Sequence, residues 1–84
     1  MKYNYFYISN HELKQGKGYI KEFKYSNDNL IFEGEYLNGK RNGKGKEYYD
    51  KGKLKFEGEY CFGKKWNGKE YDEFNNAIPY ISDF

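Results

Sequence analysis

The segment Phe32-Glu33-Gly34-Glu35-Tyr36 recurs unchanged as Phe56-Glu57-Gly58-Glu59-Tyr60, 24 positions later. Five identical residues at one offset in a chain of 84 make internal repetition the first constraint on the fold. A second element alternates with this one. Lys46-Glu47-Tyr48 recurs as Lys69-Glu70-Tyr71, and an earlier copy stands at Lys21-Glu22-Phe23.

Each element reads as a strand. In Leu54–Phe62 the residues Leu54, Phe56, Gly58, Tyr60 and Phe62 fall on one face, and Lys55, Glu57, Glu59 and Cys61 on the other. The sister segment divides the same way, with Leu30, Phe32, Gly34 and Tyr36 inside and Ile31, Glu33, Glu35 and Leu37 outside. Alternation with period two marks a half-buried strand. Asn38-Gly39 is a hairpin signal because both residues tolerate φ > 0. Asp50-Lys51-Gly52-Lys53 supplies a second turn. Gly34 and Gly58, in mid-strand on the ring face, mark the close approach of another group. The chain is therefore expected to be an all-β meander of about six strands with no long helix. Ser9-x-x-Glu12 has the spacing of a capping box, but a plain loop is the preferred reading.

The core must be built from rings. There are 11 Tyr, 7 Phe and 1 Trp, but only 5 Ile, 4 Leu, a single Ala and no Val. This aromatic content also argues against a disordered chain. No apolar run approaches the roughly 18 residues of a membrane span. The amino terminus lacks the long apolar stretch of a secretory leader. Cys61 stands alone, which excludes an internal disulfide or a cysteine-based zinc site and favours a reducing, cytoplasmic location.

On these residues the chain resembles the MORN (membrane occupation and recognition nexus) repeat family. Phe32-x-Gly34-x-Tyr36-x-x-Gly39-x-x-x-Gly43-x-Gly45 follows the family's pattern throughout. Phe56-x-Gly58-x-Tyr60-x-x-Gly63 begins a second copy, after which one residue is missing and Trp66 intrudes before Asn67-Gly68. Residues 16–31 look like the rear half of a preceding unit, 32–55 a full repeat and 56–71 an irregular one; 1–15 and 72–84 are read as degenerate caps. The resemblance implies an elongated single-layer antiparallel sheet of hairpins with an aromatic groove along one face. Gly34, Gly39, Gly43, Gly45, Gly58 and Gly63 would be its structural glycines. It also implies a non-enzymatic scaffold or adaptor, in some relatives near membranes or proposed to bind acidic lipid. Similar repeats occur in bacterial proteins regarded as antitoxins.

Catalytic inventory is poor. His11 and Cys61 are the only residues of their kinds, and both read as ordinary, so no catalytic residue, metal or cofactor is expected. The glutamates flanking Gly34 and Gly58 are expected to pair with cross-strand lysines such as Lys44 or Lys46. Gly34-x-x-x-x-Gly39-Lys40 opens like a phosphate loop, but Arg41 replaces the magnesium-binding hydroxyl and no helix follows.

Two features point to partners. Phe32, Tyr36, Tyr48, Phe56, Tyr60 and Tyr71 fall at repeat-equivalent positions, and are expected to line a groove receiving a peptide or helix of a partner protein. A single-layer sheet offers no second layer to cover such a face, although the rings could instead pack on one another. Residues 40–55 carry a net charge of +5 and residues 70–84 a net charge of −4. Lys40, Arg41, Lys44, Lys46, Lys53 and Lys55 could thus meet an anionic membrane, or the acidic end of another copy in a head-to-tail homo-oligomer. An antitoxin-like inhibitor is a third reading. Stacking of single-stranded nucleic acid is disfavoured by a net charge of +2 and one arginine.

Overall fold

The computed structural model describes residues 6–9, 16–80 and 82, with only the backbone for 6–9. Among the described residues seven strands follow one another in a single antiparallel sheet in which spatial order equals chain order. They are β1 Phe6–Ser9, β2 Lys17–Lys24, β3 Leu30–Leu37, β4 Lys40–Tyr48, β5 Leu54–Cys61, β6 Lys64–Tyr71 and β7 Ala77–Ile78. Among the described residues there is no helix. The meander is therefore all-β, as the alternation predicts. Its extents of 37 × 29 × 25 Å make it only modestly elongated. Seven strands about 4.8 Å apart stack to roughly the length of one eight-residue strand.

The turns form two sets at opposite ends of the strands. At one end lie Asn38-Gly39 (φ 50° and 82°) and Phe62-Gly63 (φ 51° and 88°). Each turn is tied to the preceding hairpin, through Asn38 N–H to Gly16 O and Gly63 N–H to Arg41 O. Phe62 is thus a turn residue, 69% exposed, and not the last member of the ring face. At the other end three loops share one plan. Lys24, Tyr49 and Asp72 donate their N–H groups to Asn29, Lys53 and Asn76, and a left-handed residue (Asp28, Gly52 or Asn75) follows the bend. Asp72 holds the last of these loops with its carboxylate, which accepts from the Phe74 and Asn76 N–H groups. Residues 72–78, expected to be part of a cap, therefore continue the meander by one turn and a short strand. At the other end β1 shows that residues 6–9 belong to the sheet, while His11 and Glu12 lie outside the described residues.

Register explains the glycines. Gly34, Gly45, Gly58 and Gly68 lie opposite one another across β3 to β6. A Cβ on Gly34 would come within 2.5 Å of the Gly45 Cα and 2.9 Å of the Phe32 ring. On Gly58 it would meet the Asn67 carbonyl oxygen at 2.1 Å. This bare row lets Phe32 and Phe56 lie flat on the backbone, fully buried. Ile20, Tyr36 and Tyr60 complete the small core, with Tyr80 packed against it.

The residue missing from the second repeat leaves a visible trace. Between Gly34↔Gly45 and Tyr36↔Arg41, β4 makes a wide excursion in which Gly43 (φ 101°) abuts the Glu35 carboxylate and the Lys44 N–H donates to it at 2.6 Å. Between Glu59↔Asn67 and Tyr60↔Lys65 only Trp66 is extra, an ordinary bulge that leaves the indole half exposed.

Candidate functional site

The inner face carries two rows besides the glycines. Glu22, Phe32, Glu47, Phe56 and Glu70 lie opposite one another across β2 to β6. The parallel row holds Tyr36 opposite Arg41, and Tyr60 opposite Lys65. Arg41 reaches back across Phe32, its guanidinium carbon 4.1 Å from the ring centre. It donates from Nε and Nη2 to both oxygens of Glu22 and from Nη1 to Glu47, all at 2.9 Å. Lys65 repeats the arrangement over Phe56, 4.8 Å from that ring, between Glu47 at 3.7 Å and Glu70 at 3.0 Å. Tyr36 donates to Glu22 at 2.5 Å and Tyr60 to Glu47 at 2.6 Å. Five charges thus alternate in sign above the two buried phenylalanines. The rings meet edge-on, with Phe32 and Phe56 each 5.4 Å from Tyr60.

The electrostatics follow from this closure. Burial and the hydrogen bond to Glu22 push the Tyr36 hydroxyl well above its ordinary pKa, and burial and Glu47 do the same for Tyr60. Burial works against the Arg41 charge, but the bonds to Glu22 overcome it and raise its pKa. Glu22 is 1% exposed and would be unaffordable without that bidentate partner.

The six rings expected to line one groove are divided. Phe32, Tyr36, Phe56 and Tyr60 share the inner face but are all buried, so the face is closed by its own ion pairs. Tyr48 and Tyr71 each stand one residue past an inner glutamate and point the other way by strand alternation. The Tyr48 hydroxyl donates to Glu33 on the outer face at 2.6 Å. That bond, followed by one from Tyr19, holds the Glu33 carboxyl below the usual range, and burial with the Glu33 bond raises Tyr48.

The basic stretch is divided as well. Arg41, expected to meet anions, is committed to Glu22 and Glu47. Lys44 and Lys46 lie on the outer face, where Lys21, Glu33, Lys46, Glu57 and Lys69 alternate in sign across β2 to β6 and Lys44 faces Glu59. These are the cross-strand partners expected for the glutamates. Lys40 lies by the Gly63 turn. Lys53 and Lys55 sit at the opposite end, Lys53 donating to the Glu73 carbonyl and Lys55 lying 5.6 Å from the Tyr49 ring centre.

Between the outer charge rows runs a shallow cleft of about 360 Å³, floored by Gly34, Gly45 and Gly58 and closed at one end by Tyr19. The strip is bare because these three positions point inward by strand alternation, so only the flanking rows place side chains on the outer face. Among the described residues no cluster of His, Cys, Asp and Glu has the geometry of a metal site. The inward cations were the signal missed in the sequence. Arg41 and Lys65 share the 24-residue offset, and the glutamates of the three Lys-Glu-aromatic copies, Glu22, Glu47 and Glu70, recur at nearly that spacing, 25 and 23 residues apart. Comparison of the chain with protein-family models, with curated proteins and with solved structures finds no match.

Proposed function

We propose that the chain is a non-enzymatic protein-binding module of MORN-like hairpin repeats. Its ring-and-ion face serves as framework, and its outer face and strand edges carry recognition. The observation that carries this reading is the division of the sheet into a sealed face and an open one. Phe32 and Phe56 are 0% exposed, whereas the outer charge rows and the glycine-floored cleft face solvent. A face closed by its own hydrogen-bonded charges offers a partner little surface. Alternating charges above a flat backbone strip offer a specific electrostatic pattern.

The test is partner binding after charge reversal at Lys21 and Lys46, with thermal stability measured in parallel. Loss of binding at near-unchanged stability supports the reading. Full binding by the double variant would contradict it.

A second reading, an anionic membrane surface, has one observation in its favour. Lys24, Lys51, Lys53 and Lys55 gather around a cavity of about 690 Å³ at one end of the sheet, beside Phe74, which is 78% exposed; Glu47, Asp50 and Glu73 line it too, and Lys24 is paired with Asp50. Co-sedimentation with phosphatidylserine vesicles that is lost in Lys51→Glu/Lys53→Glu would favour it. Unchanged sedimentation of that variant would exclude this end as the contact.

A further inference from the structure

By register the last strand takes the place of a third aromatic-x-Gly-x-Tyr element, but it carries none of that element's residues at the matching positions and does not complete the ladder. Glu47 pairs with Phe56, and one repeat later Glu70 pairs with Ile78. Continuing that register, Ile78, Tyr80 and Ser82 stand where Phe56, Gly58 and Tyr60 stand in the preceding repeat. The glycine row has no room for a Cβ, yet Tyr80 occupies its next position. Pro79 also lacks a ladder donor. The ladder accordingly stops at Ile78, with only Glu70↔Ile78 and Tyr71↔Ala77 formed, and beyond it the Ser82 hydroxyl donates to the Lys65 carbonyl oxygen on the β6 edge at 3.3 Å.

The displaced ring is put to use. Tyr80 lies on Phe56, 5.5 Å between centres, next to the last ring of the stack. The substitution is incomplete in one respect. Tyr36 and Tyr60 donate to Glu22 and Glu47, but the buried Tyr80 hydroxyl has no partner among the described residues. Glu70, the equivalent carboxylate, accepts from Lys65 and from no described tyrosine. On the outer face Lys46 lies between Glu33 and Glu57, whereas among the described residues Lys69 has only Glu57 as an acidic cross-strand neighbour. The edge of β6 therefore presents an unmet pattern: a glycine gap at Gly68, a glutamate without its tyrosine and a lysine with one acidic neighbour.

We infer that residues 77–80 form a displaceable strap and that the β6 edge beneath them docks an extended aromatic-acidic-Gly-acidic-Tyr segment of a partner protein by strand addition. The inference rests on the protein-binding reading above and names the kind of partner. The glycine of the incoming segment would lie beside Gly68, its tyrosine would reach towards the ring stack, and its acidic residues would flank Lys69. A second folded copy does not fit this role. Its own segments of this pattern, β3 and β5, are already paired on both sides, and its edge strand β1 reads Phe-Tyr-Ile-Ser.

Trp66 lies on β6 and is the only tryptophan, so its fluorescence reports occupancy of this edge. The full chain is titrated with a synthetic peptide of the Leu54–Cys61 sequence carrying serine in place of cysteine. Expected is a saturable Trp66 response that is abolished when the peptide glycine becomes alanine. Tyr80→Ala, which loosens the strap, should bind about fivefold or more tightly than Tyr80→Phe, which removes the orphaned hydroxyl and keeps the ring. Lys69→Glu should weaken the parent peptide and favour one with both glutamates changed to lysine. Absence of a saturable response, an equal response to the alanine peptide, or a response that tracks self-association without peptide overturns the inference. Any of these would leave the outer-face reading to be judged by its own charge-reversal test.

Discussion

Arg41 lies face-on over Phe32, 4.1 Å from the ring centre, and from there grips the buried Glu22 with two parallel hydrogen bonds. One side chain thereby roofs a core ring, neutralises a carboxylate on β2 and reaches a second carboxylate within its own strand. A sheet with a single layer needs such a device, because no opposing layer covers its rings.

The first prediction concerns that residue. Arg41→Met keeps an apolar roof over Phe32 but strands Glu22, and should cost about 3–5 kcal/mol, the scale for removing one member of a buried pair. Arg41→Lys should cost less, because Lys65 already performs the same role over Phe56. Urea denaturation of the two variants provides the check.

Glycines of two kinds should respond differently. Gly34→Ala and Gly58→Ala place a Cβ within 2.5 Å or less of backbone atoms on the next strand. They should be destabilising by about 3 kcal/mol, the upper end for overpacking, or prevent folding. Gly39→Ala meets no atom and suffers only from its φ of 82°, for a loss of about 1–2 kcal/mol. Thermal melts of the three variants separate the cases.

Phe62 is a bulky residue held at a φ of 51°, where the sister turn has Asn38 at 50°. Phe62→Asn should raise stability by about 1 kcal/mol by recreating the Asn-Gly turn. The benefit should appear in the melting temperature with the sheet content unchanged by circular dichroism.

Alkali should unfold the protein through its tyrosines. Burial, followed by bonds to Glu22, Glu47 and Glu33, raises the pKa values of Tyr36, Tyr60 and Tyr48 above the ordinary value of 10.0. A group with a raised folded pKa contributes stability that is complete below its unfolded value and is lost as pH climbs towards the folded one. Melting temperature should therefore fall above pH about 10, and tyrosinate absorbance at 295 nm should rise late and cooperatively with unfolding. Glu33 works in the opposite direction. Its lowered pKa gives stability present above the ordinary carboxylate range and lost as pH drops through the folded value.

How much of this was legible in the sequence depends on the residue. Phe32, Phe56, Tyr36 and Tyr60 announce themselves by repetition and alternation, as do the turns at Asn38-Gly39 and Asp50–Lys53. The pairing of outer glutamates with Lys44 and Lys46 also follows from facing strands. Arg41 did not stand out, because a cation within a run of seven basic residues reads as surface charge. Its inward position depends on how β3 and β4 pair across the Gly43 excursion, which is a property of two strands together. Residues 72–78 were obscured for another reason. Ile78 and Tyr80 replace the phenylalanine and glycine by which the earlier copies are recognised, and only register reveals the equivalence.

The central claim, that the repeated rings are sealed framework and the opposite face is open, is tested most directly by hydroxyl-radical footprinting of the free chain with residue-level mass spectrometry. Phe32, Phe56, Tyr36 and Tyr60 should be strongly protected, while Phe62, Trp66 and Phe74 are oxidised freely. Oxidation of Phe32 and Phe56 at the rate of Phe74 in the folded protein would show an open ring groove and contradict the account.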